Sequence, residues 1–265
     1  EDVGSGDKTT ALLVDPELPG QARVFAKETL VAAGFLPFLK VFQLLTPHID
    51  CRFLAKEGAL VSAGETLIEL AGPFHALLTG ERTALNFLQR LSGIATATHY
   101  FAEKIKPFGT VLLDTRKTAP GWRMLEKEAV RLGGGTNHRM GLFDAVLIKE
   151  NHSAACGGIT KAIEKIRESK SPHLMIEVEV RNLDELEQAL EARPDVIMLD
   201  NMSCDAMRKA VEITGGSVRL EASGNVTLDT IEEIASTGVT YISSGAITHS
   251  ARAVDLSMLI ERTAQ

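Results

Sequence analysis

From Gly109 onward the chain alternates short β-branched runs with helix-length amphipathic segments, and this rhythm limits the possible folds more than any other feature. The runs at 111–113, 145–148, 174–180, 196–199, 218–220 and 241–243 read as strands. The segments at 124–132, 159–169, 184–192, 205–214 and 228–236 read as helices between them. Such repetition implies parallel strands with right-handed crossovers, closing as a barrel or spreading as an open sheet. We favour a barrel. Polar residues gather where the runs end: Asp114 to Lys117, Lys149 to His152, Glu177 and Glu179, Asp200 and Asn201, Glu221 to Asn225, and Ser243 to Gly245. In a barrel those ends share one mouth, so residues distant in sequence converge on one site.

The first hundred residues follow a different pattern. Residues 57–70, EGALVSAGETLIEL, alternate apolar and polar side chains around Ala63-Gly64, which predicts a β-hairpin in an antiparallel sheet. The stretch is superficially similar to a lipoyl-type carrier hairpin, but no lysine occupies its turn, so it reads as structural. Residues 81–91, ERTALNFLQRL, place Leu85, Leu88 and Leu91 at helical spacing and predict an amphipathic helix. The boundary between the two regions is expected near 93–108.

A chain of 265 residues, 45% of them hydrophobic, can bury a full core as one α/β barrel or as a barrel with a smaller partner domain. Its formal net charge of -7 argues against a general nucleic-acid or membrane-surface role, and its basic groups are local, as suits a small anion. Cys51, Cys156 and Cys204 are odd in number and lack CxxC spacing. That pattern argues against a disulfide framework or zinc site and for a reducing cytosol. No apolar run reaches transmembrane length and no signal-peptide pattern opens the chain, so a cytoplasmic location is expected.

The chemically richest stretch is LLDTRKTAPGWRMLEKEAVRLGGGTNHRMGLFDAVLIKENH, from Leu112 to His152. Arg116-Lys117 and His138-Arg139 flank a glycine triplet, and Lys149 follows a buried run. Arginine grips carboxylate or phosphate through a planar fork and lysine adds a compact charge, so such a group implies a polyanionic ligand. The triplet Gly133 to Gly135 reads as a helix end and a tight backbone path. No GxxxxGK[ST] or GxGxxG pattern is present. Asp114 reads as a support for Arg116 or for the loop. His152 reads equally as a phosphate ligand or as a hydrogen-bonded loop histidine.

This stretch closely resembles the signature of quinolinate phosphoribosyltransferases. ERTALNFLQRLSGIAT from Glu81, EVEV from Glu177, IMLDN from Ile197, EASGN from Glu221 and SSGAITHS from Ser243 resemble further blocks of that family, in its order. The resemblance implies an N-terminal α/β sandwich domain, assigned to 1–100, and an incomplete α/β barrel with fewer than eight strands, assigned to 101–253. Residues 254–265 are expected to pack back on the first domain. It also implies a homodimer, or a hexamer built from dimers, with Arg82 entering the neighbouring subunit's site.

The reaction implied joins quinolinate to 5-phosphoribosyl 1-pyrophosphate, giving nicotinate mononucleotide, pyrophosphate and carbon dioxide. Two adjacent carboxylates on quinolinate need convergent cations, for which Arg82, Arg116, Arg139 and Lys149 are the choices, with His138 as a neighbouring donor. The catalytic set is Lys117, Lys149, Glu179 and Asp200. Glu179 and Asp200 match the family's acidic positions near ribose hydroxyls and Mg2+, a hard cation that takes oxygen ligands. Lys117 and Lys149 are placed to meet either pyrophosphate or carboxylate oxygens. For the 5-phosphate, Ser223-Gly224-Asn225 and Ser244-Gly245-Ala246 with His249 are two candidate cradles. Asn225 stands where the family often has a second glycine, and Ser244 where a hydrophobic residue is common; both departures bear on phosphate geometry. The alkylated pyridine nitrogen stabilises the carbanion left by carbon dioxide, so no organic cofactor is expected. Two other readings are a sister transferase acting on nicotinate, or a transport-associated paralogue with an altered base pocket, and a non-catalytic sensor of phosphorylated sugars.

Overall fold

The computed structural model describes residues 1–169 and 174–263. Two units divide the chain: Glu1–His99 with Arg131–Gly134 and Ala251–Gln265, and Tyr100–Val130 with Gly135–Ser250. In the first unit the elements run α1 (Lys8–Leu13), β1 (Pro19–Ala26), β2 (Leu30–Val31), α2 (Phe35–Leu45), β3 (Asp50–Phe53), β4 (Leu60–Val61), β5 (Thr66–Pro73) and α3 (Phe74–Ile105). The predicted helix at 81–91 is the middle of α3, which has 32 residues. The division at His99 and Tyr100 falls inside this helix, so the stretch expected to hold a boundary is largely helical.

The second unit contributes β6 (Val111–Leu113), α4 (Arg123–Leu132), β7 (Val146–Ile148), α5 (Glu150–Cys156), α6 (Ile159–Arg167), β8 (Ile176–Val180), α7 (Leu183–Ala192), β9 (Val196–Asp200), α8 (Cys204–Thr214), β10 (Arg219–Ser223), α9 (Ile231–Ala235), β11 (Tyr241–Ser243) and α10 (Ala246–His249). Its six strands form one sheet in the order β6-β11-β10-β9-β8-β7, and every pairing is parallel. Apart from the β11 to β6 pairing, each pair joins strands consecutive in sequence, which is the connectivity of a barrel. Only β6 and β7 lack mutual pairing, so the ring of six is incomplete there. Val178, Val180, Ile197 and Leu199 are fully buried, alternating along their strands with Glu177, Glu179 and Met198. Caps sharpen the helix starts: Asn182 accepts from the Glu185 amide at 2.9 Å and Ser203 from Ala206 at 3.2 Å.

The last strand, β12 (Leu256–Arg262), returns to the first unit, pairing antiparallel with β1 in the sheet β12-β1-β5-β3. Residues 264 and 265 of the expected return segment lie outside the described residues. One face of the sheet buries Ala22, Val24, Ile68 and Leu256 in a core shared with Phe38 and Phe42 of α2 and Leu77, Leu85 and Leu88 of α3. The hairpin predicted at 57–70 does not form: β4 pairs with β2, while β5 pairs with β1 and β3. Alternation carries no information on which strand supplies the hydrogen bonds, and burial departs from it where the neighbours Leu67 and Ile68 are both fully enclosed.

Two glycines permit close backbone approach within the first unit. A Cβ on Gly133 would lie 2.3 Å from the Ala95 carbonyl oxygen, and one on Gly93 would lie 2.0 Å from that of Arg252. Backbone cannot yield as a side chain can. Gly93→Ala is therefore expected to destabilise the protein by about 1–3 kcal/mol through overpacking. Urea unfolding that shows no loss would contradict this packing.

Candidate active site

The parallel register brings the strand C-termini to one cavity of about 390 Å3. β6 leads into Arg116 and Lys117, β7 into Lys149, and the long β6–β7 connection supplies His138 and Arg139. The same cavity is lined by Glu179 of β8, Asp200 of β9, and Ser223, Gly224 and Asn225 at the end of β10. Ten of the residues selected from the sequence thus line one space. An adjoining, mostly apolar cavity of about 520 Å3 along β7 shares Arg116, Arg139 and Lys149. The first unit has a cavity of about 400 Å3 on its antiparallel sheet, where Arg52 and Glu69 pair at 3.8 Å. Its charges are mixed rather than convergent.

A network that sequence reasoning missed holds the basic residues. Arg123, the first residue of α4, donates to the Thr118 hydroxyl at 3.0 Å, the Met140 carbonyl at 3.1 Å and the Arg116 carbonyl at 3.3 Å, tying the two basic loops together. Lys127, on the next turn of α4, is fully buried and pairs with the fully buried Asp114. The same lysine donates to the His138 carbonyl at 3.0 Å, and Asp114 accepts the His138 amide at 2.8 Å. Asp114 therefore supports Lys127 and the loop at His138; of the two supports expected from the sequence, Arg116 or the loop, it is the loop that Asp114 holds. Burial pushes its carboxyl above the ordinary aspartate value, against the pull of Lys127 and the His138 amide. Asp144 closes the loop by accepting the Met140 and Gly141 amides at 2.6 and 2.9 Å.

The cations differ in their partners. Lys149 donates to Glu179 at 3.1 Å, whereas Arg116 and Lys117 have no ion-pair partner among the described residues. Burial and the nearby Arg116 lower the Arg139 pKa from its ordinary value, while Glu177 and Asp144 oppose the shift. Arginine remains charged throughout the physiological range. Glu179 and Asp200 offer carboxylate oxygens at the ends of adjacent strands, a donor type suited to Mg2+. His152 serves locally, its Nδ1 accepting the Lys149 amide at 3.0 Å at the start of α5.

Asn201, Gly224 and Asn225 form the tightest backbone feature of the cavity. Gly224 has φ 103°, and a Cβ there would lie 2.2 Å from the Asn201 side-chain oxygen. Asn225 adopts φ 50°, a left-handed conformation that asparagine tolerates, and donates to the same oxygen at 3.1 Å. The departure from glycine at 225 is thereby accommodated. α9 starts at Ile231, beyond the predicted 228, so loop amides rather than its first turn adjoin Asn225.

Ser244, Gly245, Ala246 and His249 do not line the cavity. The Ser244 hydroxyl donates to the Val226 carbonyl at 3.0 Å and accepts the Ala246 amide at 3.2 Å. Gly245 lies against the Lys117 stem and the His249 ring, and the Thr248 hydroxyl donates to the Lys117 carbonyl at 2.8 Å. Gly245 and Thr248 thus buttress Lys117. Arg82 is an exposed residue of α3 in the other unit.

Beneath the basic groups sit two carboxylates that the candidate set lacked, Glu177 and Glu221, each 1% exposed. His138 Nε2 lies 2.9 Å from Glu177 Oε2 and 3.6 Å from Glu221 Oε2. Its Nδ1 accepts the Arg139 amide at 2.7 Å. An accepting Nδ1 carries no proton, so the ring proton is assigned to Nε2, which faces the Glu177 carboxylate. With Nδ1 accepting, Nε2 carries the ring proton in place of a free lone pair, although the three donor atoms of this trio lie within 4.8 Å of one another. The signal in the sequence was EVEV, a strand with glutamates on alternate positions facing the barrel interior.

Burial, and then the neighbouring Glu177, pushes the Glu221 carboxyl well above the ordinary glutamate value of 4.5. A raised folded-state pKa gives stability that is present below the unfolded value and lost as pH rises through the folded one. Glu221→Gln cannot suffer that loss. Relative to the parent, its stability should rise with pH above the ordinary glutamate value by up to about 1.4 kcal/mol per pH unit, levelling off above the folded pKa. Parallel urea-unfolding curves across pH would refute the shift.

The family model "Quinolinate phosphoribosyl transferase, N-terminal domain" matches residues 7–92, and "Quinolinate phosphoribosyl transferase, C-terminal domain" matches 94–259. The chain is 48% identical over 265 residues to a probable nicotinate-nucleotide pyrophosphorylase [carboxylating] of Synechocystis sp., spanning 99% of this chain and 90% of that one. It is 43% identical over 258 residues to the Bacillus subtilis protein of the same description, spanning 97% and 89%. Among solved structures, the nicotinate-nucleotide pyrophosphorylase from Francisella tularensis superimposes with a TM-score of 0.95 at 45% identity, covering 98% of this chain and 92% of that one. With both domains matched and the identity sustained over nearly full length, the chain belongs to the quinolinate phosphoribosyl transferase family.

Proposed function

We propose that this chain transfers the phosphoribosyl group of 5-phosphoribosyl 1-pyrophosphate to quinolinate with loss of carbon dioxide, yielding nicotinate mononucleotide and pyrophosphate in NAD biosynthesis. The observation that carries this reading is the convergence of Arg116, Lys117, Arg139 and Lys149 on one cavity that Glu179 and Asp200 also line. The family membership and the activities named for relatives support it.

Each side chain meets a demand of the chemistry. Arg116, Arg139 and Lys149 bind the two adjacent carboxylates of quinolinate and orient its ring nitrogen toward the anomeric carbon. Lys117, braced against Gly245 and Thr248, faces the pyrophosphate oxygens. Asn201 and the Ser223 to Asn225 turn present loop polar groups to the sugar phosphate. Glu179 and Asp200 hold ribose hydroxyls and Mg2+, which when bound offsets charge on the departing pyrophosphate. The protein contributes position and fixed charge, and no organic cofactor takes part. Arg82 completes the quinolinate pocket from the neighbouring subunit of a homodimer, or of dimers assembled into a hexamer. The reaction runs in the cytoplasm; the three unpaired cysteines support a reducing compartment, and among the described residues no helix is long and apolar enough to cross a membrane.

Pyrophosphate release should require quinolinate; preference for nicotinate would favour the sister transferase, and silence with both bases would overturn the transferase reading. Removal of one placed cation, in Arg139→Ala or Lys149→Ala, should lower kcat/KM about 100- to 1000-fold, and near-normal turnover by either would refute its assignment. Mixed Arg82→Ala and Lys149→Ala chains should recover about a quarter of parental activity, because about half the dimers form with one intact site. Absence of recovery after verified subunit exchange would place Arg82 outside the shared site.

A further inference from the structure

We infer that Glu177, backed by Glu221, is a positioning residue that holds His138 as the Nε2–H tautomer and through it fixes Arg139 over the cavity; the inference deepens the function proposed above and rests on it for the role of Arg139. The backbone of His138 is already clamped, its amide on Asp114 at 2.8 Å and its carbonyl on Lys127 at 3.0 Å. Those bonds leave the ring free to rotate. The 2.9 Å contact with Glu177 sets the ring orientation and, by requiring a proton on Nε2, leaves a lone pair on Nδ1. That lone pair accepts the Arg139 amide at 2.7 Å.

Both ring nitrogens are thus used within the protein, although His138 lines the cavity and was selected as a substrate donor. The bond from Nδ1 fixes the backbone from which the Arg139 guanidinium extends to the Ala145 carbonyl at 3.3 Å and to the cavity. Two further observations speak for a positioning task. Glu177 and Glu221 are 1% exposed, and each keeps an Oε1 with no hydrogen-bond partner. An orphaned buried oxygen is destabilising, and an apolar pair of similar volume would fill the same space without that cost. What an apolar pair could not do is accept a proton-bearing ring nitrogen.

The test begins with the full chain and needs no variant. Nitrogen-15 NMR of histidine-labelled protein should give His138 the shifts of a neutral ring protonated at Nε2; a ring protonated at Nδ1, or at both nitrogens, overturns the inference. This readout is independent of catalysis, so it stands even if the chain does not consume quinolinate. Glu177→Leu removes the acceptor and should mix the tautomers. It should also raise KM for quinolinate about 10- to 100-fold while KM for the phosphoribosyl donor stays within about twofold, as expected when a supporting contact is lost. Glu177→Gln retains an acceptor oxygen and should restore both the Nε2–H signature and most of the lost affinity. An unchanged quinolinate KM in Glu177→Leu, or equal damage from both substitutions in folded protein, refutes the positioning role. If Glu177→Leu does not fold, the parent spectrum and the Glu177→Gln kinetics decide the matter.

Discussion

The buried pair between Lys127 and Asp114 is the contact on which the basic face depends. Both side chains are fully enclosed, and breaking such a pair from one side typically costs about 3–5 kcal/mol because the remaining charge is stranded. The pair also links elements: Asp114 follows β6, Lys127 belongs to α4, and His138 lies on the loop beyond the helix. One ion pair therefore ties strand, helix and loop together at the place where the β6–β7 gap leaves the ring of six strands incomplete. Arg123 reinforces the tie from the same helix.

Above that anchor, charge is sorted by depth. Glu177 and Glu221 lie at the floor with almost no exposure, while the Lys149 side chain at the rim is half exposed. A dianionic ligand entering from the mouth meets cations first, and the floor carboxylates hold the cation-bearing backbone from below. The negative net charge of the chain does not conflict with an anion site, because at physiological salt the field of remote surface charges is screened within about 8 Å.

Legibility varied with the physics of each signal. Runs such as 111–113 and 241–243 were readable because buried parallel strands are short, apolar and β-branched, and the sheet contains them at those bounds. The segment at 57–70 misled because alternation reports a buried face and not a pairing partner. α3 was read over only 11 of its 32 residues, because buried hydroxyls at Ser92, Thr96 and Thr98 interrupt the leucine spacing although apolar burial continues at Ile94, Ala95, Phe101 and Ile105. Within the cavity, charged residues following strands were recognisable singly. Lys127 and Arg123 were not selected, because a basic residue in a helix has no sequence mark that it will be enclosed or tied to a loop; Glu177 and Glu221 stood among the polar strand ends, but nothing in their pattern told that they would be buried.

The local order of strands and helices, the family and the types of charge available were determined by the sequence alone, since periodicity and residue chemistry are properties of neighbouring positions. Tertiary structure decided which strand pairs with which, that Gly245 and Thr248 support Lys117 instead of lining the cavity, and that His138 spends both ring nitrogens on the protein. Each of these depends on distances between residues tens of positions apart, and only the closed packing of the chain sets such distances.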